Sequence, residues 1–202
     1  PDYQTPIEET LAAFDLLVQQ GKVVYVGMSN FAAWQMCEAL WKCDRRNWAP
    51  PVVMQVVYNL VARSVEAECL AFAKKMNMGL VVYNPLAGGL LTGKQRQARG
   101  PEAGTRFEMK KNYYDRYWSA GHFAAVEELA EVAAKAGKAL TQLALQWLLS
   151  QGQVDSVIIG VSKEAQLEEN LSFAEGRLDE ETLKACDAVW QQLRGEYFAY
   201  NR

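Results

Sequence analysis

Histidine is nearly missing from this 202-residue chain, and cysteine is sparse: one His and four Cys. Cys37, Cys43, Cys69 and Cys186 form no C-x-x-C pair and have no histidine cluster beside them, so neither a zinc site nor a disulfide framework is expected. They read as reduced, mostly buried thiols, and a reduced set points to the cytoplasm. An excess of positive charge is also lacking. Lys plus Arg is 21 against Asp plus Glu 24, for a net charge of -3 and a pI near 5.4. Without a basic face, no nucleic-acid partner is expected. Long apolar runs are absent: no window reaches the ~18 residues that a membrane span needs. The start carries no charged-then-apolar export signal. Disorder is excluded as the main state, because 50% of the residues are hydrophobic and 22% charged. An initiating methionine is lacking too. The chain begins Pro1-Asp2, as expected of a processed, truncated or partial sequence.

Short apolar runs alternate with amphipathic stretches in what remains. Thr5-Pro6-Ile7-Glu8 reads as a helix start, with Thr5 as N-cap, Pro6 at N1 and Glu8 at N3. Ile7, Leu11, Phe14 and Leu17 follow at helical spacing, and Gly21 stands where a C-terminal cap belongs. Val23–Val26 suits a strand buried on both faces. A helix is expected from Ala32 to about Cys43, a strand over Val52–Leu60, a helix capped by Ser64, and a third strand over Leu80–Tyr83. Between Gly88 and about Gly121 helical periodicity fails, and residues 90–121 read as a long functional loop. Helices are expected again over His122–Ala136 and Thr141–Ser150, then a strand at Val157–Ile159 and a helix over Glu164–Phe173. Residues 180–202 read as a closing helix and tail. This alternation is that of an α/β protein with a parallel sheet, and its first strands recur at roughly 28 residues, as βα units do. An open doubly wound sheet and part of a (β/α)8 TIM barrel both fit.

In either architecture the functional face lies at the carboxyl ends of the strands. Ser29 and Asn30 sit there, though they serve equally well as caps of the next helix. Gln55 interrupts the apolar run 52–57. A buried amide needs partners, either a ligand or a neighbouring strand. Tyr83-Asn84-Pro85-Leu86-Ala87-Gly88-Gly89 supplies an aromatic face and then a backbone that a ligand can approach closely. With Lys94 and Arg106 further on, a phosphate-bearing ligand is favoured. Gly160-Val161-Ser162-Lys163 opens a helix, where free N–H groups and the dipole favour an anion.

Gly21–Phe31, Gln55–Leu60, Tyr83–Lys94 and Ile158–Leu171 together resemble the aldo-keto reductases, in particular the bacterial and potassium-channel-β-like group. The four motifs stand in family order and cover nearly the whole chain. The resemblance implies the (β/α)8 barrel, here an incomplete C-terminal portion with about four strands, and a single domain over 1–202. It also implies NADPH-dependent reduction of an aldehyde or ketone carbonyl, with a small-molecule carbonyl substrate as partner. On the resemblance, Ser29, Asn30 and Gln55 hold the nicotinamide carboxamide and Tyr83 stacks on its ring. Pro85, Leu86, Ala87 and Gly89 surround the pyrophosphate, with Lys94 and Arg106 as its charges. Gly160, Ser162, Lys163 and Gln166 match the 2′-phosphate region, and Glu169 and Asn170 the adenine.

The family's catalytic Asp, Tyr, Lys and His have no match in this chain and are expected upstream of Pro1. His122, opening a helix after the long loop, is not expected to replace them, and neither Tyr58 nor Tyr83 is promoted to the proton donor. Such a donor typically contributes about 10²–10⁴ in rate, so residues 1–202 alone are expected to be inactive. A fragment of a reductase is favoured over a natural half barrel that pairs with a second copy. A second function class stays open: an NADPH-sensing module that docks on a partner, as channel β-subunits do. Trp34, Trp41, Trp48 and Trp118 would be its anchors, but they are expected to be helix and loop packing. Substrate identity and oligomeric state, homo-oligomer or not, have no readable signal.

Overall fold

A computed structural model describes residues 1–195; the tail Glu196–Arg202, expected to bear on substrate choice, lies outside the described residues. The described residues divide into two compact units, Pro1–Val57 with Ser64–Tyr83 and Gln153–Ile158, and Tyr58–Arg63 with Asn84–Gly152 and 159–195. The first contains α1 (Ile7–Gln19), β1 (Val26–Ser29), α2 (Ala33–Arg46), β2 (Pro51–Val57), α3 (Cys69–Lys75), β3 (Gly79–Tyr83) and β4 (Ser156–Ile158). The second contains α4 (Arg106–Met109), α5 (Lys111–Tyr117), α6 (Ala120–Lys135), α7 (Leu140–Leu149), α8 (Glu164–Ser172) and α9 (Glu180–Arg194).

Helix α1 starts one residue later than its sequence indicates. Pro6 is its N-cap, and the Thr5 hydroxyl donates instead to Asp2 Oδ2 at 2.7 Å. Gly21 closes the helix as expected, at φ 68° with its N–H on Val18 O. Asp15 turns inward on α1: one carboxylate oxygen accepts the Ala49 N–H at 2.8 Å and the other the Gln19 amide at 2.5 Å. Helix α2 opens with the Gln35 amide oxygen on the Ala32 N–H at 2.9 Å and ends at Asn47 in the left-handed region. The Ser64 segment is a 3-10 turn, Ser64–Ala67, and α3 follows it.

The four strands pair in parallel in the order β1-β2-β3-β4. A doubly wound sheet reverses its strand order at a switch point, and this sheet does not, so its winding is that of a barrel. Burial alternates along each strand. Val26, Met28, Met54, Val56, Leu80 and Val82 are buried on one face, together with Leu11, Met36, Ala39, Cys43 and Ala73 of the helices. The opposite face, with Val53, Gln55, Val81 and Tyr83, is only half-buried. Strands buried on both faces, as Val23–Val26 suggests, are therefore not what forms. In that run Val24 and Tyr25 stay exposed, and β1 begins only at Val26, where Pro51 becomes its partner. A barrel strand gains burial on its inner face from the strands across the barrel, and β1 has a single neighbour among the described residues. β4 is fastened by Asp155, whose N–H bonds Leu80 O and whose carboxylate accepts the Leu80 N–H at 2.7 Å.

In the second unit Trp147 is fully buried, edge-on to Tyr58. The Arg63 guanidinium lies over Trp147 and Trp190 and bonds Asp187 at 2.7 Å. A cation flanked by two aromatic faces and a carboxylate keeps its charge satisfied in a nearly closed place. The 90–121 segment, expected as a loop, holds α4, α5 and 3-10 turns. Helices of four and seven residues are too short to show a 3.6-residue period.

Trp118 packs as expected, stacked on Tyr114 and edge-on to Phe107 and Phe123. Trp48 lies under the Arg46 guanidinium. Trp34 and Trp41 do not pack: they are 62% and 59% exposed on α2. Helical spacing reports which residues share a face, and only neighbours decide whether that face is covered.

Asp15→Ala removes the acceptor for a backbone N–H and is expected to lower stability by about 1–3 kcal/mol, read from the urea midpoint. The cysteines, expected to be mostly buried, divide into exposed Cys37, half-buried Cys69, and buried Cys43 and Cys186. Burial pushes the Cys186 thiol up to about 12 and that of Cys43 upward as well. Iodoacetamide should therefore label Cys37 first in the native protein and reach Cys43 and Cys186 only after denaturation, as peptide mass mapping would show.

Candidate functional site

Parallel register aligns the carboxyl ends of the strands in the first unit. Ser29, Gln55, Val81 and Ser156 are partners in one row across all four strands, and Val57, Tyr83 and Ile158 form the row two residues on, on the same face. Partners across a parallel ladder project to the same side, so Ser29 and Gln55 stand next to each other on the half-buried face. Their side chains meet there, Ser29 Oγ donating to Gln55 Oε1 at 3.3 Å. The N–H of Asn30 bonds Gln55 O at 2.9 Å, and the Tyr83 hydroxyl donates to Asn30 Oδ1 at 3.1 Å. The four residues read from the sequence as one subsite are thus joined by hydrogen bonds.

Asn30 holds φ 60°, a left-handed conformation that an Asn tolerates better than most residues. Below this row the open face is narrow. Val53 is flanked by Gly27 and Gly79, where an added Cβ would stand 3.4 and 3.3 Å from its side chain. Chemically the row offers an amide NH2 on Gln55, a hydroxyl, a second amide and an aromatic ring. A carboxamide, which both donates and accepts, is a fitting ligand for such a set.

In the second unit, the segment after β3 is shaped by left-handed backbone at Asn84, Ala87, Gly88, Gly89 and Gly93. At Gly89 the φ is 107° and nothing lies within 4 Å of a Cβ, so the backbone is open to a ligand. Gly88 is the opposite case: an added Cβ would stand 2.6 Å from the Tyr113 ring. Arg106, at the start of α4, lies over the same Tyr113 ring and 2.9 Å from where a Cβ of Gly160 would be. The second unit therefore brings together the 85–89 segment, Arg106 and Gly160, three pieces far apart in sequence.

Gly160 leads into α8. Both the N–H and the hydroxyl of Ser162 donate to Gln166 Oε1, at 3.0 and 3.2 Å, and Lys163 is the exposed N-cap position. Gln166 and Asn170 are one turn apart on α8, with Glu169 beside them. Lys94 is exposed after the 3-10 turn, and Pro85 and Ala87 are buried beneath the segment that they shape. An open backbone at Gly89 and the exposed Arg106 beside Gly160 suit a phosphate-bearing ligand, and Lys94 and Lys163 are exposed cations elsewhere in the same unit.

His122 takes no part in either cluster. Its Nδ1 pairs with Ser119 Oγ at 2.9 Å, its ring stands edge-on to Tyr117, and burial lowers its pKa. It belongs to the start of α6, where the Ser119 hydroxyl accepts the His122 N–H. Among the described residues no group of His, Cys, Asp or Glu is placed to hold a metal ion, and no helix is long and apolar enough to cross a membrane.

Sequence reasoning missed two residues that the structure brings to the 84–89 segment, Tyr113 and Tyr117. Both lie where helical periodicity is too short to read. Their only signal is the aromatic density of 113–118.

Residues 1–191 match the sequence profile of the aldo/keto reductase family. Aflatoxin B1 aldehyde reductase member 2 of Mus musculus is 37% identical, over the whole of this chain and 59% of its own length. Aldo-keto reductase family 7 member A3 of Homo sapiens is also 37% identical, over the whole chain and 66% of its length. Aldo-keto reductase pigE of Monascus ruber is 30% identical, over 98% of the chain and 63% of its length. The chain thus spans roughly three-fifths of these relatives, and its four parallel strands are a portion of the family's (β/α)8 barrel. It belongs to the aldo/keto reductase family.

Proposed function

We propose that the protein reduces the carbonyl of an aldehyde or ketone with NADPH, and that this chain supplies the cofactor side of the reaction. The observation that carries the reading is the bonded set Ser29, Gln55, Asn30 and Tyr83 at the ends of three adjacent strands. Bound NADPH would supply a hydride from C4 of its nicotinamide. Gln55 uses its oxygen to accept from Ser29, which leaves its NH2 to hold the carboxamide oxygen. Asn30 and Ser29 accept the carboxamide NH2, and Tyr83 offers its ring face. These contacts would orient the nicotinamide so that one face is turned to substrate.

Pro85, Leu86, Ala87, Gly89, Lys94 and Arg106 are assigned to the pyrophosphate. Gly160, Ser162, Lys163 and Gln166 are assigned to the 2′-phosphate, and Glu169 and Asn170 to the adenine. Lys163 at the N-cap of α8 favours the 2′-phosphate, and so NADPH over NADH, because a cation and a helix start both attract the added anion. An aldehyde is the favoured substrate class, since four of the matched relatives are named aflatoxin B1 aldehyde reductases. The proton for the carbonyl oxygen is assigned to groups outside residues 1–202, and the free cysteines favour a cytoplasmic location.

NADPH and NADH titrations, read by quenching of tryptophan fluorescence, test this reading on the protein at the length its source makes. Lys163→Ala should weaken NADPH about tenfold or more, the worth of one charged hydrogen bond, and leave NADH unchanged. Absence of NADPH binding by the parent protein would overturn the reading. An aldehyde assay should give turnover with the source-length protein and none with residues 1–202 alone.

A further inference from the structure

We infer that Tyr117, with Asn59 and Asn84, is a positioning device that holds the 84–93 segment in its ligand-ready shape. The inference rests on the NADPH reading, which assigns Pro85, Leu86, Ala87 and Gly89 to the pyrophosphate. None of the three residues touches the cofactor in that reading.

All three side chains are buried: Asn59 and Tyr117 are 0% exposed and Asn84 is 6%. The Tyr117 hydroxyl accepts two amide N–H groups, from Asn84 Nδ2 at 2.8 Å and from Asn59 Nδ2 at 3.1 Å. Asn59 Nδ2 also donates to the Asn84 carbonyl at 2.9 Å, and Asn59 Oδ1 accepts the Val61 N–H at 3.1 Å. Asn84 Oδ1 accepts the Gly88 N–H at 2.7 Å, while its carbonyl accepts that of Ala87 at 3.0 Å. Asn84 thus grips its own segment at two points, and Tyr117 and Asn59 grip Asn84.

The segment needs such restraint. Asn84 and Ala87 both carry positive φ, 62° and 50°, a conformation that costs a residue such as Ala about 1–2 kcal/mol and an Asn less. Strain of this kind persists only where the surroundings over-determine it. A hydrogen-bonded Asn84 and the Tyr113 ring against Gly88 provide that over-determination from two sides. Burial raises the Tyr117 pKa, so the phenol keeps its proton at ordinary pH while its oxygen accepts the two amides. This buried network of two amides and a phenol, with the Arg116 guanidinium over the Tyr117 ring, is stiff because each broken bond would leave a buried group without a partner.

The test uses the source-length protein, with Tyr117→Phe and Asn84→Gly, each measured for NADPH Kd and for hydrogen exchange of the 84–93 amides. Asn84→Gly retains access to left-handed φ and removes the side-chain bonds but also frees the backbone, so Tyr117→Phe, which leaves the backbone unchanged, is the deciding variant. Asp15→Ala, in the first unit, serves as a control for lost stability without a change at the segment. The expected result is faster exchange at 84–93 and a Kd about tenfold higher in both variants, with the control's Kd unchanged. In a turnover assay KM for NADPH should rise while kcat at saturating NADPH holds. Faster exchange with an unchanged Kd would make the network merely structural and overturn the inference, with the NADPH reading intact. An equal loss of affinity in Asp15→Ala would overturn it as well. A parent protein that binds no NADPH would overturn both.

Discussion

Because β1 to β4 run parallel and pair in sequence order, each connection must carry the chain back across the sheet before the next strand begins. Every strand of the first unit then ends at the same edge, and the last residues of adjacent strands are register partners however far apart they lie in sequence. Ser29 and Gln55 become register partners by this rule, and Tyr83 reaches Asn30 by it. The rule also explains the backbone at the strand ends. Asn30 and Asn84 both leave their strands in the left-handed region, where the chain turns sharply and a short polar side chain can bond its own loop.

The connection from β3 to β4 is the long one, and the second unit is built largely from it. Its order comes from two buried polar arrangements. Arg63 is held between two indole rings and Asp187, and Asn59, Asn84 and Tyr117 satisfy one another. Polar groups buried in this way stabilise little in net terms, yet each has few alternative arrangements. They therefore fix geometry more than they add stability. That distinction matters for the proposed function, in which the 84–93 segment would present its backbone to a pyrophosphate.

Much of this organisation was legible before any coordinates. The order of strands and helices followed from apolar runs and amphipathic periods, and boundaries moved by a few residues where caps differed. Thr5 was misread because its hydroxyl had a competing local partner in Asp2. The inward Asp15 was invisible because a carboxylate on a helix is ordinarily solvated, and only Ala49 N–H, 34 residues away, makes its burial sensible. Gln55 stood out because an amide in an apolar run has to be explained. Tyr117 did not, because one tyrosine among the aromatics of 113–118 carries no positional signal.

Local patterning in the chain was enough to set the α/β class, the strand-end segments and the residues at the four family motifs. These depend on local composition, and local composition sets period, turn and cap. Tertiary structure alone decided the unreversed strand order, the pairing of Ser29 with Gln55, the position of Arg106 against Gly160, and the exposure of Trp34 and Trp41. Each of these is a relation between distant segments, and side-chain identity at one position holds no information about which neighbour the fold will bring to it.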